Sequence, residues 1–190
     1  PSSSGYPDVP NLISSESKKM WAQVVKEVHK YNSKIFCQLW HVGGIRKPGI
    51  DKNKDVPGYT PSGLVKANKK VAYEMTLEDI QEMVSIYAKD AKICEELGFD
   101  GVEIHGAHGY LIHQFLSATS NHRKDHYGGS LANRMRFAVE VAAAVREVWP
   151  KEKPVFFRLS AVDGKGGSWT LADSIRLASA LREVNIDMID

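Results

Sequence analysis

Residues 94–110 read Cys94-Glu95-Glu96-Leu97-Gly98-Phe99-Asp100-Gly101-Val102-Glu103-Ile104-His105-Gly106-Ala107-His108-Gly109-Tyr110. Their first residues close a helical pattern over 77–97 that turns Ile80, Met83, Val84, Tyr87, Ala88, Ala91, Cys94 and Leu97 to one side. Gly98 stops it, because glycine tolerates the left-handed backbone of a helix C-cap. Gly101–His105 then reads as a strand whose apolar run suits a parallel sheet buried on both faces. After His105 the small residues Gly106, Ala107 and Gly109 let the backbone turn tightly. Helix, strand and polar turn make one βα unit.

The same unit recurs on either side. Residues 15–30 place Met20, Trp21, Val24, Val25 and Val28 on one helical face, and residues 131–149 do so with Phe137, Ala138, Val141, Ala142, Val145 and Val148. A fourth helix is expected over 171–184. Thr76 with Asp79, Ser130, and Thr170 with Asp173 are suitable N-terminal caps. Further strands are expected at Lys34–Trp40, Val155–Ser160 and Ile186–Asp190. Alternating strands and helices predict an α/β fold with right-handed crossovers. A doubly wound sheet fits this pattern too, but its glycine-rich phosphate turn is missing. The expectation is therefore part of a (β/α)8 TIM barrel, one domain over 1–190. Residues 41–75 hold Pro48, Gly49, Pro57, Gly58, Pro61 and Gly63. They are too long for a simple βα loop and read as an ordered excursion. The chain opens on Pro1 and stops at Asp190 just after an apolar stretch begins, as expected of a fragment whose sheet has two open edges.

Composition narrows the function. With 43% hydrophobic residues and 25 basic against 23 acidic side chains, the 190-residue chain has the make-up of a globular protein. A net charge of +2 supplies no basic stripe for nucleic acid and no polybasic patch for membranes. No apolar run approaches the roughly 20 residues of a membrane span, and no signal peptide is recognisable. Two cysteines, Cys37 and Cys94, read as reduced and buried, so the expected location is cytoplasmic.

Each strand delivers polar groups at its carboxyl end, where barrel enzymes build their sites. The first gives Gln38 and then His41, the second His105, His108 and Tyr110, the third Arg158 and then Asp163. A guanidinium within a buried strand needs acceptors. Arg158 therefore reads either as an ion pair with Glu103 or as the seat of an anionic ligand. Gln38 offers a donor and an acceptor from one amide, suited to the edge of a pyrimidine-like ring or to a structural bond. His105 and His108 can donate to a substrate oxygen, and Tyr110 can donate a proton or pack under the loop. With His113, His122 and His126 nearby, metal binding is the rival, although no carboxylate or cysteine stands at ligand spacing and no metal ligand is assigned. His122 and His126, beside charged residues, read as solvated.

The run from Asp100 to Leu116, including His105-Gly106-Ala107-His108-Gly109-Tyr110, closely resembles the old yellow enzyme family. These are FMN-dependent ene-reductases that include NADPH dehydrogenases and 12-oxophytodienoate reductases. Ser120–Ser130 with Asn133-Arg134, Gln38-Leu39-Trp40-His41-Val42-Gly43, and Phe157-Arg158-Leu159-Ser160 resemble three further family signatures in the right order. The resemblance implies that Gln38 bonds the pyrimidine edge of FMN and that Arg158 faces the flavin N1–C2 carbonyl region. It implies that His105 and His108 grip a carbonyl or nitro oxygen and that Tyr110 donates the proton. NAD(P)H would be the co-substrate and an enone or related electrophilic alkene the acceptor. The full-length protein has the option of a homo-oligomer. The chain would supply about strands 3 to 6 of the barrel, and Gly164-Lys165-Gly166-Gly167 does not substitute for the phosphate site. Two other readings of the residues stay open: a metal-dependent barrel hydrolase, and a non-catalytic barrel fragment acting as a scaffold.

Overall fold

A computed structural model describes all residues except 1, 2, 4, 7, 8, 47, 48, 50–54, 67, 68, 71, 165 and 166, so Pro1, Pro48, Lys165 and Gly166 lie outside the described residues. The elements in chain order are α1 (Ser15–His29), β1 (Phe36–Leu39), β2 (Tyr59–Thr60), β3 (Leu64–Lys66), β4 (Lys69–Lys70), β5 (Tyr73–Glu74), α2 (Leu77–Glu96), β6 (Gly101–Gly106), α3 (Leu111–Leu116), α4 (Leu131–Val148), β7 (Val155–Leu159), α5 (Leu171–Glu183) and β8 (Met188–Ile189). Four parallel strands form the main sheet in the order β1-β6-β7-β8. Gln38 and Arg158 thus stand on strands that flank β6 rather than touch each other.

Local chemistry sets the helix starts. The Thr76 hydroxyl accepts the Asp79 amide while the Asp79 carboxylate accepts the Thr76 amide, and Thr170 with Asp173 repeats the device at α5. The hydroxyls of Ser14 and Ser130 cap α1 and α4. Gly98 follows α2 at φ +89°, the conformation that a side chain would resist. α2 packs chiefly on α4, joining Ile80, Met83, Tyr87, Ala91 and Cys94 to Phe137, Ala138, Val141, Ala142 and Val145 in one core with Val102, Ile104, Val155 and Phe157.

Two expectations are corrected and one element is added. The strands are not buried on both faces. Helices cover one side, while Phe36 and Met188 on the concave side are 40% and 47% exposed. Four strands and their helices enclose only the convex face of such a sheet. In α1, Trp21, Val25 and Val28 turn inward, but Met20 and Val24 are exposed and line a groove with Pro10 and Asn11. The apolar arc of α1 is wider than the contact its neighbours offer. Helix α3 was not expected at all. Its six residues are all buried, so it has no polar face to create a period.

Within residues 41–75 a 3-10 turn at Gly43–Ile45 precedes two small sheets, β2 with β5 in parallel and β3 with β4 in antiparallel pairing. Arg123, itself buried, ties the middle of this region to its end. Its guanidinium donates to the carbonyls of Pro61 at 2.8 Å and Met75 at 2.6 Å, and pairs with Asp125 at 2.6 Å. Both cysteines are free thiols, Cys94 buried and Cys37 half-buried.

Candidate active site

Strand register places the candidate residues on one surface. Gln38 stands beside Glu103, and Glu103 beside Phe156; two residues further along, His105 stands beside Arg158. In-register partners of a parallel sheet point the same way and alternate residues share a face. Gln38, Glu103, His105, Phe156 and Arg158 therefore all occupy the concave side. Its floor is apolar. Gly101, beside Phe36, carries no side chain, so the Phe36 ring leans across β6 to stack on Phe156 at 5.1 Å between centroids.

The polar partners differ from the expected ones. The Gln38 side-chain amide donates to the Glu103 carboxylate, so Glu103 is engaged by β1. Arg158 pairs instead with Asp190, Nε to Oδ2 at 3.1 Å, with 41% of its side chain exposed. The guanidinium is not sealed inside a strand but lies open on the concave surface. His41 turns away from this surface: its Nδ1 accepts the Gly43 amide at 3.0 Å, and burial lowers its pKa to about 3. Asp163 is also engaged, by His113, Ser117, Ser168 and Trp169.

His105 is buried at 4% exposure, and its Nδ1 has no hydrogen-bond partner among the described residues. Burial, with the nearby His108 and Arg158 charges adding, lowers its pKa to about 4. The ring is thus neutral above that pH and charges only in acid. Its centroid lies 5.1 Å from that of His108 and 5.4 Å from that of Tyr110. His108 is exposed and sits at φ +59°, followed by Gly109 at φ +74°. Only neighbours can hold a residue with a β-carbon in that conformation. Here the His108 amide donates to Ser160 Oγ at 2.9 Å, and the Gly109 amide to His113 Nδ1 at 3.1 Å. Gln114 donates to the Gly109 carbonyl at 2.6 Å, and the Leu111 amide to the His41 carbonyl at 3.1 Å.

Aromatic rings wall the outer side. Trp40 meets Tyr110 edge-on at 5.0 Å and stacks on Tyr6 at 5.9 Å. The Tyr6 and Tyr110 hydroxyls are 3.2 Å apart, and that bond, with burial, raises the Tyr110 pKa to about 12. Tyr110 therefore stays protonated throughout the neutral range. Its hydroxyl meets a second phenol here.

Residues 1–190, the whole chain, match the NADH:flavin oxidoreductase / NADH oxidase family. The chain belongs to that family. It is 45% identical to an NADPH dehydrogenase of Clostridium acetobutylicum, over 94% of this chain and 54% of that protein. It is 39% identical to 12-oxophytodienoate reductase 2 of Arabidopsis thaliana, over 77% of this chain and 42% of the relative. A structure of morphinone reductase in complex with tetrahydroNAD superposes with a TM-score of 0.88 at 30% identity, covering 100% of this chain and 57% of that one. An old yellow enzyme homologue from Zymomonas mobilis gives 0.85 at 30% identity, over 99% and 56%. The chain spans about half the length of the curated relatives it matches. The parallel α/β architecture is thus a partial TIM barrel of this flavin oxidoreductase family.

The residues fit a flavin by the chemistry of their donors and acceptors. With its amide N–H given to Glu103, Gln38 keeps a carbonyl oxygen to accept from a ring N–H. The exposed Arg158 keeps guanidinium N–H groups for an electron-rich edge. Tyr6, Trp40, Ser160 and His113 were not legible as parts of the site. Trp40 directly follows Gln38-Leu39 and carried a usable signal; Tyr6 lies in an N-terminal stretch with no periodicity to place it. Among the described residues no three His, Cys, Asp or Glu side chains gather around a common point, and His122 and His126 are exposed. None of the described helices is long and apolar enough to cross a membrane.

Proposed function

We propose that this chain is the substrate-facing part of an FMN-dependent ene-reductase that uses NAD(P)H and reduces the alkene of an enone or related electrophilic alkene. The observation that carries the reading is the convergence of two imidazoles and a protonated phenol, His105, His108 and Tyr110, on the face that bears Gln38 and Arg158. Gln38 and Arg158 would hold FMN, and bound FMN supplies the hydride chemistry.

His105 and His108 hold the substrate oxygen. His105, neutral in this setting, donates through one ring N–H, and both rings stabilise negative charge as it develops on that oxygen. Tyr110 delivers its proton to the α-carbon, and the Tyr6 hydroxyl bonded to it aligns the phenol. Trp40 and Tyr6 shield the same side from water. Arg158 would favour an anionic flavin edge by its charge and by its remaining guanidinium N–H groups.

Equilibrium dialysis of the protein against FMN tests the reading. Saturable binding is expected, weakened roughly tenfold or more by Arg158→Ala, the worth of a hydrogen bond to a charged group. A colourless protein that takes up no flavin supports the scaffold reading. Stoichiometric zinc lost on His108→Ala supports a metal hydrolase.

A further inference from the structure

One buried pair at the mouth of the sheet takes no part in this chemistry, yet it touches the turn that presents it. His113, 7% exposed, accepts the Gly109 amide on Nδ1 at 3.1 Å, and its Nε2 lies 2.6 Å from Asp163 Oδ1. An amide N–H can only donate, so Nδ1 is the unprotonated nitrogen and the ring proton sits on Nε2, facing the carboxylate. Asp163 is anchored in turn. It accepts the Ser117 hydroxyl at 2.6 Å and the Ser168 and Trp169 amides at 3.0 and 3.1 Å. Burial alone would raise its pKa, but these donors hold it below the ordinary carboxylate range. The chain of bonds runs from the segment after β7, through α3, to the backbone of the β6 turn.

We propose that His113 and Asp163 form a positioning pair that sets the reach of His108, by fixing the Gly109 amide and with it the left-handed backbone at His108. The inference rests on the reading in which His105 and His108 share one substrate oxygen. Gly109 takes its positive φ freely, but that of His108 has a cost that neighbouring bonds must meet. Ser160 and Gln114 hold the His108 amide and the Gly109 carbonyl; among the described residues only His113 holds the Gly109 amide. Without that acceptor the peptide between His108 and Gly109 can rotate, which swings the His108 ring away from His105. Neither His113 nor Asp163 needs to touch substrate for this.

Two substitutions separate positioning from mere packing. His113→Asn puts an amide oxygen where Nδ1 stands, keeping the acceptor while losing the bond to Asp163. His113→Leu keeps the volume and removes both bonds. Nuclear magnetic resonance of the protein without flavin reads Gly109 amide exchange and the His108 ring signals. In His113→Leu, Gly109 exchange should accelerate about tenfold or more and the His108 signals should move; in His113→Asn both should stay close to wild type. In the FMN-loaded protein, affinity for 4-nitrophenolate should fall about tenfold in the leucine variant and recover in the asparagine variant. Unchanged Gly109 exchange and His108 signals in His113→Leu would overturn the inference. If that variant does not fold, Asp163→Asn decides: loss of the single Nε2–H tautomer of His113 with faster Gly109 exchange supports it, and an unaltered Gly109 overturns it. A wild-type protein that ignores 4-nitrophenolate sinks the oxygen-binding reading, while the Gly109 and His108 signals still judge the clamp.

Discussion

The convex face of the central sheet presents Val102, Ile104, Val155 and Phe157, all at 0% exposure beneath the helices. The concave face of the same strands presents Gln38, Glu103, His105 and Arg158: Gln38 bonds Glu103, Arg158 pairs with Asp190, and the His105 ring lies beside that of His108. Neighbouring residues one position apart thus serve different ends. One set holds the fold together by removing hydrocarbon from water; the other presents donors and acceptors on the side that the helices leave uncovered. Substitutions on the first face should move stability, and substitutions on the second should move binding and rate.

The sharpest break between the faces should come at Tyr110. In the flavin-loaded enzyme Tyr110→Phe is expected to slow alkene reduction by roughly 10²–10⁴, the range for a lost general acid, and to spare flavin reduction by NAD(P)H. Stopped-flow absorbance reads both half-reactions; if the two slow together, Tyr110 is structural. Next comes Ile104→Ala on the convex face. It should remove about 2–5 kcal/mol of unfolding free energy in a urea titration, the cost of a cavity under packed helices. A loss well under 1 kcal/mol would mean that this face is not the core. His108→Ala should weaken 4-nitrophenolate binding by about 1.5–3 kcal/mol, the worth of a hydrogen bond to a charged group. Because the side chain is exposed, its unfolding midpoint should hardly move. The smallest effect belongs to Arg158→Ala measured by unfolding. A half-exposed ion pair contributes about 0–1 kcal/mol, so a larger loss would assign the Arg158–Asp190 pair to the fold and not to a ligand.

Much of the architecture was legible because its signals are local. The caps at Thr76, Ser130 and Thr170 and the helical spacing from Ile80 to Cys94 each depend on residues within a turn or two. The motif from His105 to Tyr110 was equally legible, as strand, small residues and donors in one run. What was hidden depends on residues far apart in sequence. Asp190 lies 32 positions from Arg158, and Tyr6 lies 104 positions from Tyr110. Helix α3 was hidden for a different reason: a helix buried on every side has the composition of a strand. His113 stood in plain view within a histidine-rich stretch, but its burial and its bonds to Gly109 and Asp163, which distinguish it from the exposed His122 and His126, arise only in the fold.

Arg123 has a consequence for how such a chain can vary over evolutionary time. Its guanidinium grips the carbonyls of Pro61 and Met75 at once, so the two ends of the intervening stretch are held at a set separation. Clamped ends fix the closure of the stretch between them. Each doubling of its length costs only about 0.6 kcal/mol of closure entropy, less than the wider core would register from one misplaced methylene. An insertion between these two carbonyls is therefore expected to leave the register of β1, β6, β7 and β8 unchanged.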